Sequence, residues 1–150
     1  MRIDRLARRP DAQLAQLSWR LLQEHLSWRP ATNPFTRFGE RLARELPGFA
    51  ERSLPRYHAW AFASIRQAGS AFELAAAHLR WHAGFGRPQL LAPAECFDAI
   101  AQGNKALILK AARAVNSGRP LDAAPLCAEL AQSWDRGMTL LGDCVGAAEA

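Results

Sequence analysis

The sequence predicts an all-α protein, with about five helices in a single bundle around a long central helix at residues 54–82. Three observations predict this class. Apolar residues recur at steps of three and four, no segment alternates apolar and polar residues as a half-buried strand would, and the links between helical segments are short. The length of 150 residues and the 49% hydrophobic composition are typical of one globular domain, expected here over residues 1–150.

The first helix is predicted from Asp11 to Trp28. Its apolar residues follow one helical stripe, which predicts a face packed against the rest of the protein. The stripe consists of Leu14, Leu17, Leu21 and Trp28, with Leu22 and Leu26 beside it.

The second helix is predicted from Pro34 to about Glu45. Asn33 followed by proline is a helix start signal, because a proline at the first helical position gives up an N–H that has no partner there. The pair at residues 47–48, proline and glycine, predicts the end. The helix divides into an apolar face and a basic face, formed respectively by Phe35, Phe38 and Leu42 and by Arg37, Arg41 and Arg44.

The central helix is predicted to start after Ser53, a candidate N-cap, with Pro55 in its first turn. It is apolar on every side, which predicts burial on most sides. Gly69 and Ser70 in its middle predict a close crossing with another helix. The expected contact lies on the fourth helix, at Ala101 and Gly103.

The fourth helix is predicted from Pro93 to about Asn116, with Gly118 as its C-terminal cap. The last helix is predicted to begin near Asp122, and residues 143–150 are expected to form a frayed tail. The inner faces of these two helices are predicted at Phe97, Ile100, Asn104, Leu107, Ala111 and Val115, and at Leu126, Leu130, Trp134, Met138 and Leu141.

Basic residues are concentrated in the first part of the chain. The net charge is +5, and residues 1–66 hold 12 of the 17 arginines against 6 acidic residues. This asymmetry is typical of a surface for an acidic partner, or it reflects the base composition of the genome. The arginines predicted to dock such a partner are Arg20, Arg37, Arg41, Arg44, Arg52 and Arg56.

The sequence gives little support for a metal site, a catalytic cysteine or a membrane-spanning segment. The three cysteines share no short spacing, and Cys96 is expected to be a small core residue rather than a nucleophile. His78 and His82 lie four residues apart but lack a third ligand, so neither a metal nor a cofactor is expected. There is no secretory signal pattern and no apolar run long enough to span a membrane, which favours a cytoplasmic location.

One polar stripe follows the central helix, formed by Arg66, Glu73 and Arg80 at intervals of seven residues. Two interpretations remain open. The stripe is an internal salt-bridge network that fixes helix register, or it is a polar pocket or a face presented to a partner. The further members expected in either case are Lys105, Arg113, Gln67 and His58.

Three runs of the sequence carry a resemblance to a known family: RPATNPFTRFGERLARELP, YHAWAFASIRQAGSAFELAAAHLRW and FDAIAQGNKALILKAARAVN. From about Leu6 to Leu141 the chain resembles the C-terminal half of an uncharacterised bacterial family, domain-of-unknown-function family eighteen thirty-nine. The resemblance implies longer proteins, encoded beside amino acid:carrier-protein ligases and small acyl carrier proteins. It also implies an N-terminal half similar to papain-like acyltransferases, which holds the catalytic Cys and His.

The resemblance therefore implies a helical accessory domain of a carrier-protein-linked aminoacyl transfer system, which docks an acyl or aminoacyl carrier protein or supports the catalytic half. No catalytic residue is assigned to this chain, and activity of the chain alone is not expected. A basic helical nucleic-acid-binding module and a small-ligand enzyme with a pocket at Arg66, Glu73 and Lys105 are the alternatives. The sequence fits either a natural short protein or the C-terminal part of a longer one.

Overall fold

A computed structural model describes residues 8–146, and for residues 50–52 the backbone alone. Within that range the chain forms five helices and no strand, which confirms the all-α prediction. The helices are α1 (Asp11–Ser27), α2 (Pro34–Arg52), α3 (residues 54–83), α4 (Leu91–Ser117) and α5 (Ala124–Gly146). A single turn, Pro88–Leu90, precedes α4. Helix α5 continues beyond the expected end at Gly142, and residues 147–150 of the predicted tail lie outside the described residues.

Helix α3 is continuous but contains one π-helical turn. The α-helical segments Leu54–Ala61 and Gln67–Ala83 flank the π turn Phe62–Arg66. A π turn accommodates one extra residue in an α-helix. The buried side of α3 follows a small stripe: Ile65, Gly69, Ala76 and Leu79, with the partly buried Phe72.

The prediction that α3 is buried on most sides is wrong. Phe62 and Leu74 are 60% and 71% exposed, so one side of the helix faces solvent. The sequence predicted burial on most sides because these two residues are apolar, although they lie outside the packed stripe. Among the described residues, no helix combines the length and the apolar character needed to cross a membrane.

Helix α2 does not end near Glu45 but continues through Pro47 to Arg52. The proline removes one helical hydrogen bond. The added turn holds Phe49, whose buried ring packs against Tyr57 at 5.8 Å and Trp60 at 5.0 Å between ring centroids. This aromatic contact accounts for a helix that extends past its sequence stop signal.

The link from α2 to α3 is the single residue Ser53, whose φ is 136°. Few residues other than glycine adopt a positive φ, so the backbone is strained at this link. Ser53 occupies the predicted N-cap position, but its side chain makes no capping hydrogen bond.

The tight crossing of α3 and α4 is confirmed at Gly69. A Cβ atom there would lie 3.1 Å from Cβ of Asn104 and 3.7 Å from the carbonyl oxygen of Ala101. The predicted role of Gly103 in this crossing is wrong. A Cβ on Gly103 would meet Cδ2 of Leu130 at 2.7 Å, so Gly103 serves the contact of α4 with α5.

Two polar side chains connect helices across the bundle. Asn33 caps α2 as predicted: its Oδ1 accepts a bond of 2.9 Å from the Phe35 amide, and its Nδ2 donates to the Ala131 carbonyl of α5. The Tyr57 hydroxyl donates to the Ile108 carbonyl at 2.9 Å and thereby joins α3 to α4.

Helix α1 packs with the side that holds Leu22 and Leu26, which the sequence placed beside the predicted stripe, and not with the stripe itself. Its buried residues are Ala15 and Trp19, and the partly buried Leu22 and Leu26 lie against the core. The predicted stripe faces solvent, with exposed fractions from 38% to 68% at Leu14, Leu17, Leu21 and Trp28. Two apolar faces were present on this helix, and periodicity alone could not choose between them.

Candidate functional site

The predicted polar stripe of α3 lies on the surface. Nζ of Lys105 is 3.2 Å from Oε2 of Glu73, and these side chains are 49% and 57% exposed. The interpretation as an internal salt-bridge network is therefore wrong for this pair. Water screens exposed ion pairs, so the pair contributes at most about 1 kcal/mol to the free energy of unfolding.

The other members of the stripe do not converge on one point. The Arg66 guanidinium lies 5.9 Å from the centre of the exposed Phe62 ring, and Arg80 pairs with Asp98 of α4. The hydrogen bond to Asp98 raises the pKa of Arg80 above its ordinary value. The remaining predicted members are exposed as well: His58, Gln67 and Arg113. The stripe presents alternating charges to solvent.

The predicted basic face of α2 is present and exposed. Arg37, Arg41 and Arg44 line one open depression of about 430 Å³, together with Pro34, Phe38 and Glu40. Arg41 also donates to Glu45, with 2.8 Å between Nε and Oε1. Three guanidinium groups thus lie along one side of a single helix, and only one of them has a described carboxylate partner.

The other arginines predicted for docking lie elsewhere. Arg20 is exposed on α1 and Arg56 near the start of α3, and neither lines the depression beside α2. The side chain of Arg52 lies outside the described residues. The structure therefore brings together Arg37, Arg41 and Arg44 from the predicted set.

A groove runs along the other side of α2, between it and α5. Its volume is about 610 Å³, and Glu40 borders both this groove and the arginine depression. Here α2 and α5 approach closely, and a Cβ on Gly39 would lie 2.8 Å from Cβ of Cys127. The apolar part of the lining consists of Phe35, Ala43, Ala124, Ala128 and Ala131, and carboxylates are added by Glu40, Glu129 and Asp135.

His78 and His82 form a cluster with Ser18 of α1. The Ser18 Oγ lies 2.5 Å from Nε2 of His78 and 3.3 Å from Nε2 of His82, and the two imidazole centroids are 4.7 Å apart. Burial lowers the pKa of His78. Burial, with the nearby His78 and Arg87, lowers the pKa of His82 to about 4. Both rings are neutral near pH 7.

Among the described residues, no three or more His, Cys, Asp or Glu side chains cluster so that they could hold a metal ion. Cys96, Cys127 and Cys144 are free thiols. Burial raises the pKa of the Cys127 thiol, and burial together with Asp143 raises that of Cys144, which disfavours the reactive thiolate in both.

Sequence reasoning missed Ser18 as a partner of the two histidines. The groove beside α2 was not predicted either. The Ser18 contact and the groove both depend on which helices become neighbours in the fold. The sequence signal for the contact of Ser18 with the histidines is weak. It consists of the position of Ser18 next to Trp19, on the side of α1 that carries Ala15, Leu22 and Leu26.

Comparison with known proteins agrees with the resemblance noted in the sequence. No curated protein and no solved structure matches the chain significantly. Residues 11–143, nearly the whole chain, match the family described as the DUF1839 C-terminal domain. The matched range includes all five helices except the last residues of α5. The chain therefore belongs to the DUF1839 C-terminal domain family.

Proposed function

We propose that this chain is a helical docking domain of a carrier-protein-linked aminoacyl transfer system and that its α2 face receives an acidic carrier protein. The observation that carries the proposal is the row formed by Arg37, Arg41 and Arg44, which are all exposed and line one depression. Opposite potentials steer two proteins together and raise their association rate. A cytoplasmic location belongs to the same proposal.

The groove beside the arginine row supports docking of a helix. A partner helix lying along α2 would place acidic side chains near the arginines and an apolar side chain over the groove between α2 and α5. Amphipathic helices commonly bind in this way, with apolar anchors in a groove and charges at its rim. The exposed alanines of the groove lining, such as Ala43 and Ala128, have short side chains that leave room for that anchor.

The outer face of α1 supports a second contact, to the catalytic half that the family resemblance implies. Contiguous exposed apolar residues rimmed by polar ones mark interaction sites. Leu17, Leu21 and Trp28 form such a face on α1, 38% to 68% exposed. We propose that this face supports the acyltransferase half in the longer proteins, while α2 remains free for the carrier.

The proposal is tested by a binding competition. The chain is titrated with an acyl carrier protein of the kind that the family resemblance implies and with duplex DNA of similar charge, at two salt concentrations. We expect weak carrier binding that exceeds DNA binding and decreases with salt, because the Debye length is about 8 Å at physiological ionic strength. The change of Arg37, Arg41 and Arg44 together to Glu should abolish it.

A matched control distinguishes a specific face from overall charge. Three arginines in the C-terminal part of the sequence are also exposed: Arg113, Arg119 and Arg136. Their change to Glu alters the net charge by the same amount as the change of the three arginines of α2. This control variant should retain most of the carrier binding. Equal loss in both variants, or DNA binding tighter than carrier binding, would refute the docking face on α2.

A further inference from the structure

The contact between α1 and the rest of the bundle includes a compact cluster of titratable and aromatic side chains. The Trp19 ring meets the His82 ring edge-on, with 5.6 Å between centroids, and the Arg87 guanidinium lies 4.4 Å from the centre of the Trp19 ring. Ser18 contacts both His78 and His82. Ala15 and Trp19 are the two buried residues of α1, so this cluster coincides with the main anchor of the helix.

The hydrogen bonding of the cluster disfavours a protonated His82. The Ser18 hydroxyl lies within hydrogen-bond distance of Nε2 of both histidines and bridges the two rings. The His82 ring is completely buried, and its Nδ1 has no hydrogen-bond partner among the described residues. A protonated His82 would therefore carry a buried N–H without an acceptor.

The charges around the cluster would oppose protonation as well. Two imidazolium rings at 4.7 Å would repel each other, and Arg87 adds a third positive charge from the loop after α3. In the described part of the chain, neither histidine forms an ion pair with a carboxylate. The other side chains that contact the two rings by a hydrogen bond or a ring contact, among the described residues, are uncharged: Ser18 and Trp19 from α1 and Trp81 from α3.

We propose that Ser18, His78 and His82 form an acid-sensitive latch: protonation of the two histidines releases α1 from the bundle while α2 to α5 stay assembled. Helices α2 to α5 contact one another directly along the bundle, and these contacts do not pass through α1. The latch is independent of the proposed carrier site, because none of its residues lies on α2.

The sign of the pH dependence follows from the two states of α1. In the docked state the pKa of His82 is lowered to about 4 and that of His78 is also lowered, whereas in the released state both return to about 6.5. The docked state binds fewer protons below pH 6.5. Docking is therefore strongest above that value and weakens as pH falls toward 4. Each coupled histidine contributes up to about tenfold per pH unit to the release equilibrium.

Hydrogen exchange of the whole chain at pH 7.5 and pH 5 tests the latch, after correction for the pH dependence of the intrinsic exchange rate. We expect the protection of amides in α1 to fall about tenfold or more at the lower pH. Amides in the middle of α4 should keep their protection. Equal protection of α1 at both pH values, or simultaneous loss in α1 and α4, would overturn the proposal.

Two variants and two controls complete the test. His82→Phe keeps a ring against Trp19 without a titratable group, and His78→Gln removes the second charge while leaving the buried ring in place. Each should reduce the loss of α1 protection at pH 5, because one titratable histidine remains, and the double variant should keep α1 protected. The second single variant serves even if the first does not fold. The other histidines of the chain, His25 and His58, are exposed, so H25Q and H58Q should retain the full pH response. A response lost in the controls but kept in the two variants would assign the effect elsewhere.

Discussion

Tyr57 is the only tyrosine of the chain, and its side chain is completely buried. The hydroxyl donates to the Ile108 carbonyl, and the ring packs against Phe49 and Trp60. Burial raises the pKa of Tyr57 to about 12, because a phenolate at this position would lose its hydration. A single side chain therefore reports on the contact of α3 with α2 and α4.

An alkaline titration followed by near-ultraviolet absorbance should show no phenolate near pH 10, the ordinary value, and a midpoint near 12. Because the folded pKa is raised, Tyr57 contributes stability that is complete below pH 10 and is lost as pH rises through 12. Tyr57→Phe should remove the absorbance signal and cost about 0.5–1.5 kcal/mol of unfolding free energy. Ionisation near pH 10 with intact helical circular dichroism would contradict the buried position.

At the residue scale, the sequence predicted helix caps better than it predicted contacts between side chains of different helices. Asn33 and Gly118 have the predicted capping roles, because a cap depends on neighbours within a few positions of the chain. The exposure of Glu73 could not be predicted, since it depends on which side of α3 meets α4. The contact of Ser18 with His78 joins residues 60 positions apart, and no local pattern encodes it.

At the scale of the elements, glycines set how closely the helices approach. Gly137 of α5 lies against α4, where a Cβ would be 2.8 Å from Cε1 of Phe97 and 3.0 Å from Cβ of Cys96. Gly48 lies within α2, and a Cβ there would meet no atom within 4 Å. The same substitution therefore has opposite consequences at these two positions.

Gly137→Ala should destabilise the protein by about 1–3 kcal/mol, because the added methyl overpacks the contact of α4 with α5. Gly48→Ala should stabilise it by up to about 1 kcal/mol, because alanine favours the helix where nothing obstructs the methyl. Urea denaturation of the two variants beside the parent chain measures both signs. A stabilising change at Gly137 would mean that α4 and α5 are farther apart than described.

The extents of the helices were predicted well where local signals agree with packing. The starts of α1 and α2 lie where the sequence places them, whereas α2 continues past its expected end because Phe49 binds the aromatic cluster. The π turn of α3 was not predicted, since one extra residue leaves no clear trace in an apolar sequence. The link at Ser53 was treated as a start signal, and its positive φ has no sequence signature.

At the scale of the whole molecule, α1 has two apolar sides with different roles. Trp19 is buried against the bundle, whereas Trp28 on the outer face is 68% exposed. The fold class and the helix count could be predicted from periodicity. The orientation of α1 could not, because the outer stripe has the more regular spacing and the inner face includes the small Ala15 and the polar Ser18.

Trp19→Ala should cost about 3–5 kcal/mol of unfolding free energy, because it leaves a cavity beside His82 and Arg87. Trp28→Ala removes the same side chain from an exposed position and should change stability by less than about 0.5 kcal/mol. Thermal and urea unfolding of this matched pair decide the orientation of α1. Similar losses in both variants would place the outer stripe in a packed interface of this chain.

The π turn at Phe62–Arg66 keeps the two α-helical parts of α3 in phase although one extra residue lies between them. A regular α-helix over the same residues would turn the segment Leu54–Ala61 by about 100° relative to the rest of α3. Tyr57 and Trp60 would then leave Phe49, and the hydrogen bond to Ile108 would break. A deletion of one residue within the turn should therefore leave these contacts in place, whereas the same deletion elsewhere in α3 should break them.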